Sequence, residues 1–176
     1  RDSSRYTIAD DPARWQRFSR YNQGQIAELS AQFNPDLFWF DGDWEHSAEE
    51  WDAGKIRTGI LAKNPKAIIN GRLQGFGDYA TPEQNIPIDT PRGPWELCLT
   101  SNDNWGWQPQ DTVYKSTHDL IHIFADVIGH GGNLLLDIGP KEDATIPPGQ
   151  VKLLEEIGQW TGQHAEAIYG TVAGLP

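Results

Sequence analysis

Methionine is absent from this 176-residue chain, and cysteine occurs once, as Cys98. Without a methionine to initiate translation, the chain is expected to be a processed product or a fragment. A single cysteine excludes a disulfide framework within the chain and leaves the redox compartment open. Basic residues are scarce: 14 Lys and Arg face 25 Asp and Glu, for a formal net charge of -11. That balance argues against a nucleic-acid partner, whose phosphates are met by basic patches. Long apolar runs are missing too. The longest are a few residues, far short of the about 18 that a membrane-spanning helix needs, so no membrane partner is expected. The length is enough for one domain with a proper core.

Tryptophan is over-supplied, at 8 residues. Packing accounts for most of them, because aromatic side chains dominate buried area. Sugar binding is the second reading, since the flat apolar faces of pyranose rings stack on indoles. Trp39, Trp95, Trp105 and Trp107 fall at or near predicted strand ends and loops.

Apolar residues recur at near-helical spacing from Asp10 to Phe33, and the short run Leu37–Phe40 reads as a buried strand between Pro35 and Gly42. Ser47 with Glu50 forms a capping-box pattern that opens a helix to about Lys63, ended by Asn64-Pro65. Lys66–Asn70 reads as a second strand and Gly71 to Pro94 as a long loop. Trp95–Thr100 is a third strand, and Thr112–Ile128 a helix with Val113, Leu120 and Val127 on its apolar face. Asn133–Ile138 is a fourth strand, and Pro147-Pro148 opens a last helix to about Trp160. Strands alternating with helices or long loops are the rhythm of a parallel α/β sheet. Four strands are half of an eight-stranded barrel, and an opening helix has no strand before it. The expected fold is therefore a partial (β/α)8, TIM-like barrel: residues 1–176 as the C-terminal half of such a domain, with about four strands.

Asp41 ends the first of those strands, at the edge where parallel α/β proteins place their chemistry. Glu83 lies in the loop after the next strand and can rise from the same face. Two carboxyl groups about 5–5.5 Å apart serve a retaining glycosidase, one as nucleophile and one as acid and then base. Against this, Asp41 could cap the following segment and Glu83 could be one more solvated acid. Arg72 could reach the same cleft to hold a sugar hydroxyl or keep Asp41 ionised, or form an ordinary surface ion pair. His118 and His122 have i, i+4 spacing but no third ligand, so a solvated or partly buried face is expected and no metal. Gly129 to Gly132 runs from helix into strand and reads as a cap and turn rather than a phosphate loop. Glu96 begins a strand, on the stability side of a barrel.

Seven segments, in order, resemble the α-L-fucosidases of glycoside hydrolase family 29 over nearly the whole chain. They are Phe38–Gly42, Asn70–Arg72, Gly77–Gln84, Trp95-Glu96, Asn102–Trp107, Gly131–Pro140 and Ala165–Thr171. The resemblance implies a retaining exo-α-L-fucosidase that works through a covalent fucosyl-enzyme intermediate and needs no cofactor. It makes Asp41 the nucleophile and Glu83 the acid/base. It puts Trp39 and Arg72 against the fucose, and Trp105 near the sugar's methyl group. It implies a fucosylated oligosaccharide or glycoconjugate as substrate. The remaining, N-terminal half of the barrel would then supply paired histidines, and a β-sandwich would follow Thr171. Asp137 stands where the family commonly has Asn. Secreted, periplasmic and lysosomal placement are all compatible. Two alternatives are an inactive carbohydrate-binding barrel and a different retaining glycosidase on the same fold. The isolated piece is expected to be inactive.

Overall fold

Asp11 starts the first helix, α1 (Pro12–Phe33): its carboxylate accepts the Arg14 N–H at 2.8 Å, and proline occupies the first turn. Asn34, left-handed at φ 45°, ends it. The structure, a computed structural model, describes residues 8–174. It divides into two compact units, one ending at Asp78 and the other beginning at Tyr79.

In the first unit, β1 (Leu37–Phe38) pairs in parallel with β2 (Ile68–Ile69), in register Leu37 to Ile68 and Phe38 to Ile69. Both strands are shorter than Leu37–Phe40 and Lys66–Asn70. The backbone ladder stops after Phe38, and beyond it the Asn70 side chain takes over as Phe40's partner. A 3-10 turn at Asp43–Glu45 leads to the expected capping box: Ser47 accepts from Glu50 N–H, and Glu50 accepts from Ser47 N–H. The helix behind it is not continuous. It breaks into α2 (Ala48–Trp51) and α3 (Ala53–Lys63) at Asp52, which is left-handed at φ 56° and accepts from Gln23 of α1. Phe38 and Ile69 face Ile26, Ala53, Ile56 and Ile60, while Leu37 and Ile68 on the opposite face are 40% and 46% exposed. Each fully buried Ile contributes about 1.5–3 kcal/mol. Much of α1's apolar stripe, including Tyr21, Leu29 and Phe33, lies open.

In the second unit, β3 (Glu96–Thr100) pairs in parallel with β4 (Asn133–Asp137). The preceding stretch, read from sequence as loop, lies parallel along β3's other edge. Ala80 bridges to Trp95 and Glu83 to Cys98, and Cys98 N–H donates to Pro82 while Gln84 N–H donates to Cys98. Turn residues flanking Ala80–Gln84 hide this strand-like piece from a pattern search. Helix α4 (Thr117–Gly129) starts five residues later than expected, because Ser116 caps it by accepting from Asp119 N–H. Val113 therefore precedes the helix and is exposed. Gly131, at φ 75°, closes α4: its N–H donates to Ile128 and that of Gly132 to Val127. The segment is a cap, as expected. Helix α5 (Pro148–Gln163) runs past Trp160 and is followed by the short α6 (Ala165–Ile168). Trp95, Leu97, Leu99, Leu120, Val127 and Leu153 form this unit's core, and Leu135 on the other face of β4 is open. Among the described residues, no helix is long and apolar enough to cross a membrane.

Candidate active site

Beyond β1 the chain must end its ladder without stranding the polar backbone of Phe40. Asn70, at the end of β2 and fully buried, solves this with one carboxamide. Its Oδ1 accepts the Phe40 N–H at 2.8 Å, and its Nδ2 donates to the Phe40 carbonyl at 2.8 Å. Trp39 and Asp41 flank Phe40. Alternation along an extended chain sends both toward the same side.

Arg72 meets them there. Its Nη1 donates to Asp41 Oδ1 at 2.5 Å, and its guanidinium carbon lies 4.6 Å from the Trp39 ring centroid. The Arg72 side chain is 12% exposed, the Asp41 carboxylate 60%. This is an ion pair, but one whose cation is covered by an indole face, which strengthens it over an ordinary surface pair. A cavity of about 170 Å³ adjoins Asp41 and Arg72, walled by Phe18, Asn22, Phe40, Asp43, Trp51, Ile56 and Leu73. Two larger cavities, one of about 380 Å³ between α1 and α3 and one of about 810 Å³ at the start of β3 and β4, are lined by none of the expected site residues.

The loop carrying Arg72 is tied down along its length. Asp43 accepts from Gln74 N–H through its carboxylate and from the Gln74 and Trp51 side chains through its carbonyl. Asp78 accepts from Arg57 and from Ile69 N–H, and the Arg57 hydrogen bond holds its carboxyl below the usual range. Sequence reasoning missed Asn70, Asp43, Asp78 and Arg57 as supports. An Asn closing an apolar run, where strand propensity disfavours it, was the one available signal.

Glu83 and Trp105 belong to the second unit. Glu83 is exposed, on the strand-like stretch beside β3. Trp105, 45% exposed, sits in the loop after β3, which Asp111 gathers by accepting from Asn102 at 2.7 Å and Asn104 at 2.6 Å. Lys115 donates to the Asn102 carbonyl and pins the loop's base. Glu96 lies beside Tyr79, whose hydroxyl is pushed up to about 12, first by burial and then by the Glu96 charge. Burial also raises Asp137, whose Oδ2 has no hydrogen-bond partner among the described residues. The His118 and His122 rings lie next to each other, centroids 4.3 Å apart and tilted by 34°, and His118 is exposed. No group of three potential metal ligands occurs among the described residues.

A family model described as alpha-L-fucosidase matches residues 2–166. An alpha-L-fucosidase of Branchiostoma floridae is 30% identical over 159 residues, covering 84% of this chain and 35% of that protein. Among solved structures, alpha-L-fucosidase isoenzyme 1 from Paenibacillus thiaminolyticus superposes with a TM-score of 0.87 at 29% identity, over 92% of this chain and 42% of that one. A Thermotoga maritima alpha-L-fucosynthase in complex with α-L-Fuc-(1-2)-β-L-Fuc-N3 gives a TM-score of 0.79 at 28% identity, over 91% of this chain and 36% of that one. The chain thus spans about a third of the length of the curated relatives it matches, 34% and 35% for two of them.

Proposed function

We propose, because this chain belongs to the alpha-L-fucosidase family, that it carries the nucleophile of a retaining exo-α-L-fucosidase. The observation that carries this reading is the Arg72–Asp41 pair at 2.5 Å, with the Arg72 guanidinium against Trp39. Asp41 attacks the anomeric carbon of a terminal α-L-fucose. The glycosidic C–O bond breaks, and the departing oxygen takes the Glu83 proton. Glu83, now a carboxylate, then removes a proton from water as that water attacks the anomeric carbon. Asp41 is displaced and fucose leaves with retained configuration. Arg72 and Trp39 bound the sugar beside the nucleophile, and Trp105 offers an aromatic surface to the fucose methyl. Roles for Glu83 and Trp105 rest on their match to the family's segments.

The chain would form the C-terminal half of a (β/α)8-like catalytic domain. In support, the face of β1 and β2 that bears Leu37 and Ile68 is open opposite the face packed on helices, and Leu135 of β4 is open as well, though Cys98 beside it on β3 is buried. A barrel interior covers just such faces. The remaining half would supply that cover, and fucosylated oligosaccharides or glycoconjugates would be the substrates.

The test is turnover of an aryl α-L-fucoside by the full-length protein, beside a panel of other aryl glycosides. Activity confined to the fucoside is expected. In Asp41→Gly turnover should vanish, and added azide should yield a fucosyl azide, because a small anion fits the vacated space. No turnover of any sugar, with fucose still raising the Tm, would replace the enzyme reading with a binding one.

A further inference from the structure

Within the fucosidase reading, on which this rests, we infer that Asn70 is the positioning residue that aims the nucleophile. Strand β1 stops at Phe38, three residues before Asp41. Backbone pairing therefore cannot fix the direction in which the Asp41 carboxylate projects. The Asn70 carboxamide does so by acting as one more rung. It accepts from Phe40 N–H and donates to Phe40 C=O, both at 2.8 Å. Those two groups belong to the peptide planes on either side of Phe40, one shared with Trp39 and the other with Asp41. Holding both planes sets both side chains at once.

The choice of residue follows. An apolar side chain would strand both Phe40 groups, and aspartate could accept from the N–H but would turn an anionic oxygen on the carbonyl. A carboxamide of this length meets donor and acceptor together at any pH, and a carboxyl does so only when protonated. Asn70 is wholly buried, so no water competes. Its own N–H donates to Phe38 at 3.1 Å, which keeps its backbone in the β1–β2 ladder. Two residues on, Arg72 reaches Asp41. One residue thus ties the nucleophile's backbone to the start of the loop that bears its cationic partner. A reacting atom displaced by about 1 Å costs about 100-fold in rate.

The experiment compares Asn70→Asp and Asn70→Ala with the unsubstituted full-length protein, per folded molecule and well below each Tm. Asn70→Ala is expected to lower kcat about 10- to 100-fold with KM nearly unchanged. In Asn70→Asp the ratio of kcat to that of the parent should rise as pH falls, because a protonated carboxyl regains the donor to Phe40. A structural role alone would lower Tm and leave both kinetic signatures flat, and that result overturns the inference. If Asn70→Ala does not fold, the Asn70→Asp ratio decides: a rise at low pH supports the inference, and no pH dependence sinks it. Absence of turnover in the unsubstituted protein removes the fucosidase reading and this role with it. Turnover that is indifferent to Asn70 removes this role alone.

Discussion

Gly77 and Asn70 touch so closely that a Cβ on Gly77 would lie 2.2 Å from the Asn70 carbonyl oxygen. That clash is with backbone, so no side chain can swing aside. Gly77→Ala is therefore expected to cost about 1–3 kcal/mol of stability and to shift the loop bearing Arg72. Thermal unfolding of the full-length variant checks this. An unchanged Tm would mean that the two segments separate at little cost.

Arg72→Lys keeps the charge but loses the guanidinium Nη1 that donates to Asp41 and the contact of the guanidinium with the Trp39 ring. A fall of about tenfold or more in kcat/KM is expected, with a smaller effect on Tm, since an ion pair with an exposed carboxylate contributes about 1 kcal/mol or less and the Trp39 contact adds about 0.5–1 kcal/mol. Parent-like kcat/KM in the lysine variant would deny Arg72 its place beside the sugar.

Asp78 titrates below the usual carboxylate range, chiefly through the Arg57 hydrogen bond. A depressed folded-state value stabilises above the unfolded pKa of about 3.9, and that stability is lost as pH falls through the lower, folded value. Its side chain is 29% exposed, so about 1 kcal/mol is a fair discounted figure at neutral pH. Asp78→Asn should unfold more easily than the parent at pH 7, and the gap should close in strong acid. A gap that persists below the carboxylate range would point to packing instead.

Asp137 moves the other way. Burial raises it, and its Oδ2 finds no partner among the described residues. A raised value favours folding with the proton on, so stability drains away as pH climbs past the unfolded value. Asp137→Asn keeps the shape without the charge. It should raise the Tm at pH 7 and raise it less at pH 4; a Tm gain independent of pH would exclude the charge as the cause.

Much of this was legible in the sequence. The capping box at Ser47 and Glu50, the glycine cap after α4, four strands and parallel pairing within each pair all follow from local pattern. The seven ordered segments carried the family, and the family match bears that out. What was not legible has one physical cause: a side chain or turn replacing regular backbone. Asp52 splits a helix by going left-handed, though its type gives no warning. Ala80–Gln84 pairs as a strand amid turn residues. Asn70 substitutes a carboxamide for a rung, so both strands looked longer than they are. At the site, Asp41, Trp39 and Arg72 could be picked out by position and family resemblance. Of the supports beneath them only Asn70, an Asn closing an apolar run, left a signal, because hydrogen bonds between residues 30 apart leave no spacing to read.

The loop from Gly71 to Asp78 is fastened at its end by Asp78 N–H on Ile69 and in its middle by Gln74 N–H on Asp43, and Gly77 leaves no room for a side chain against the Asn70 backbone. Its length is therefore as constrained as its composition. One residue added or removed would carry Arg72 off Asp41, whatever the amino acid. The stretch around Ile88, which is wholly exposed, has no such fastening among the contacts described. Insertions and deletions accumulated over evolutionary time are expected to gather there and to spare the Arg72 loop.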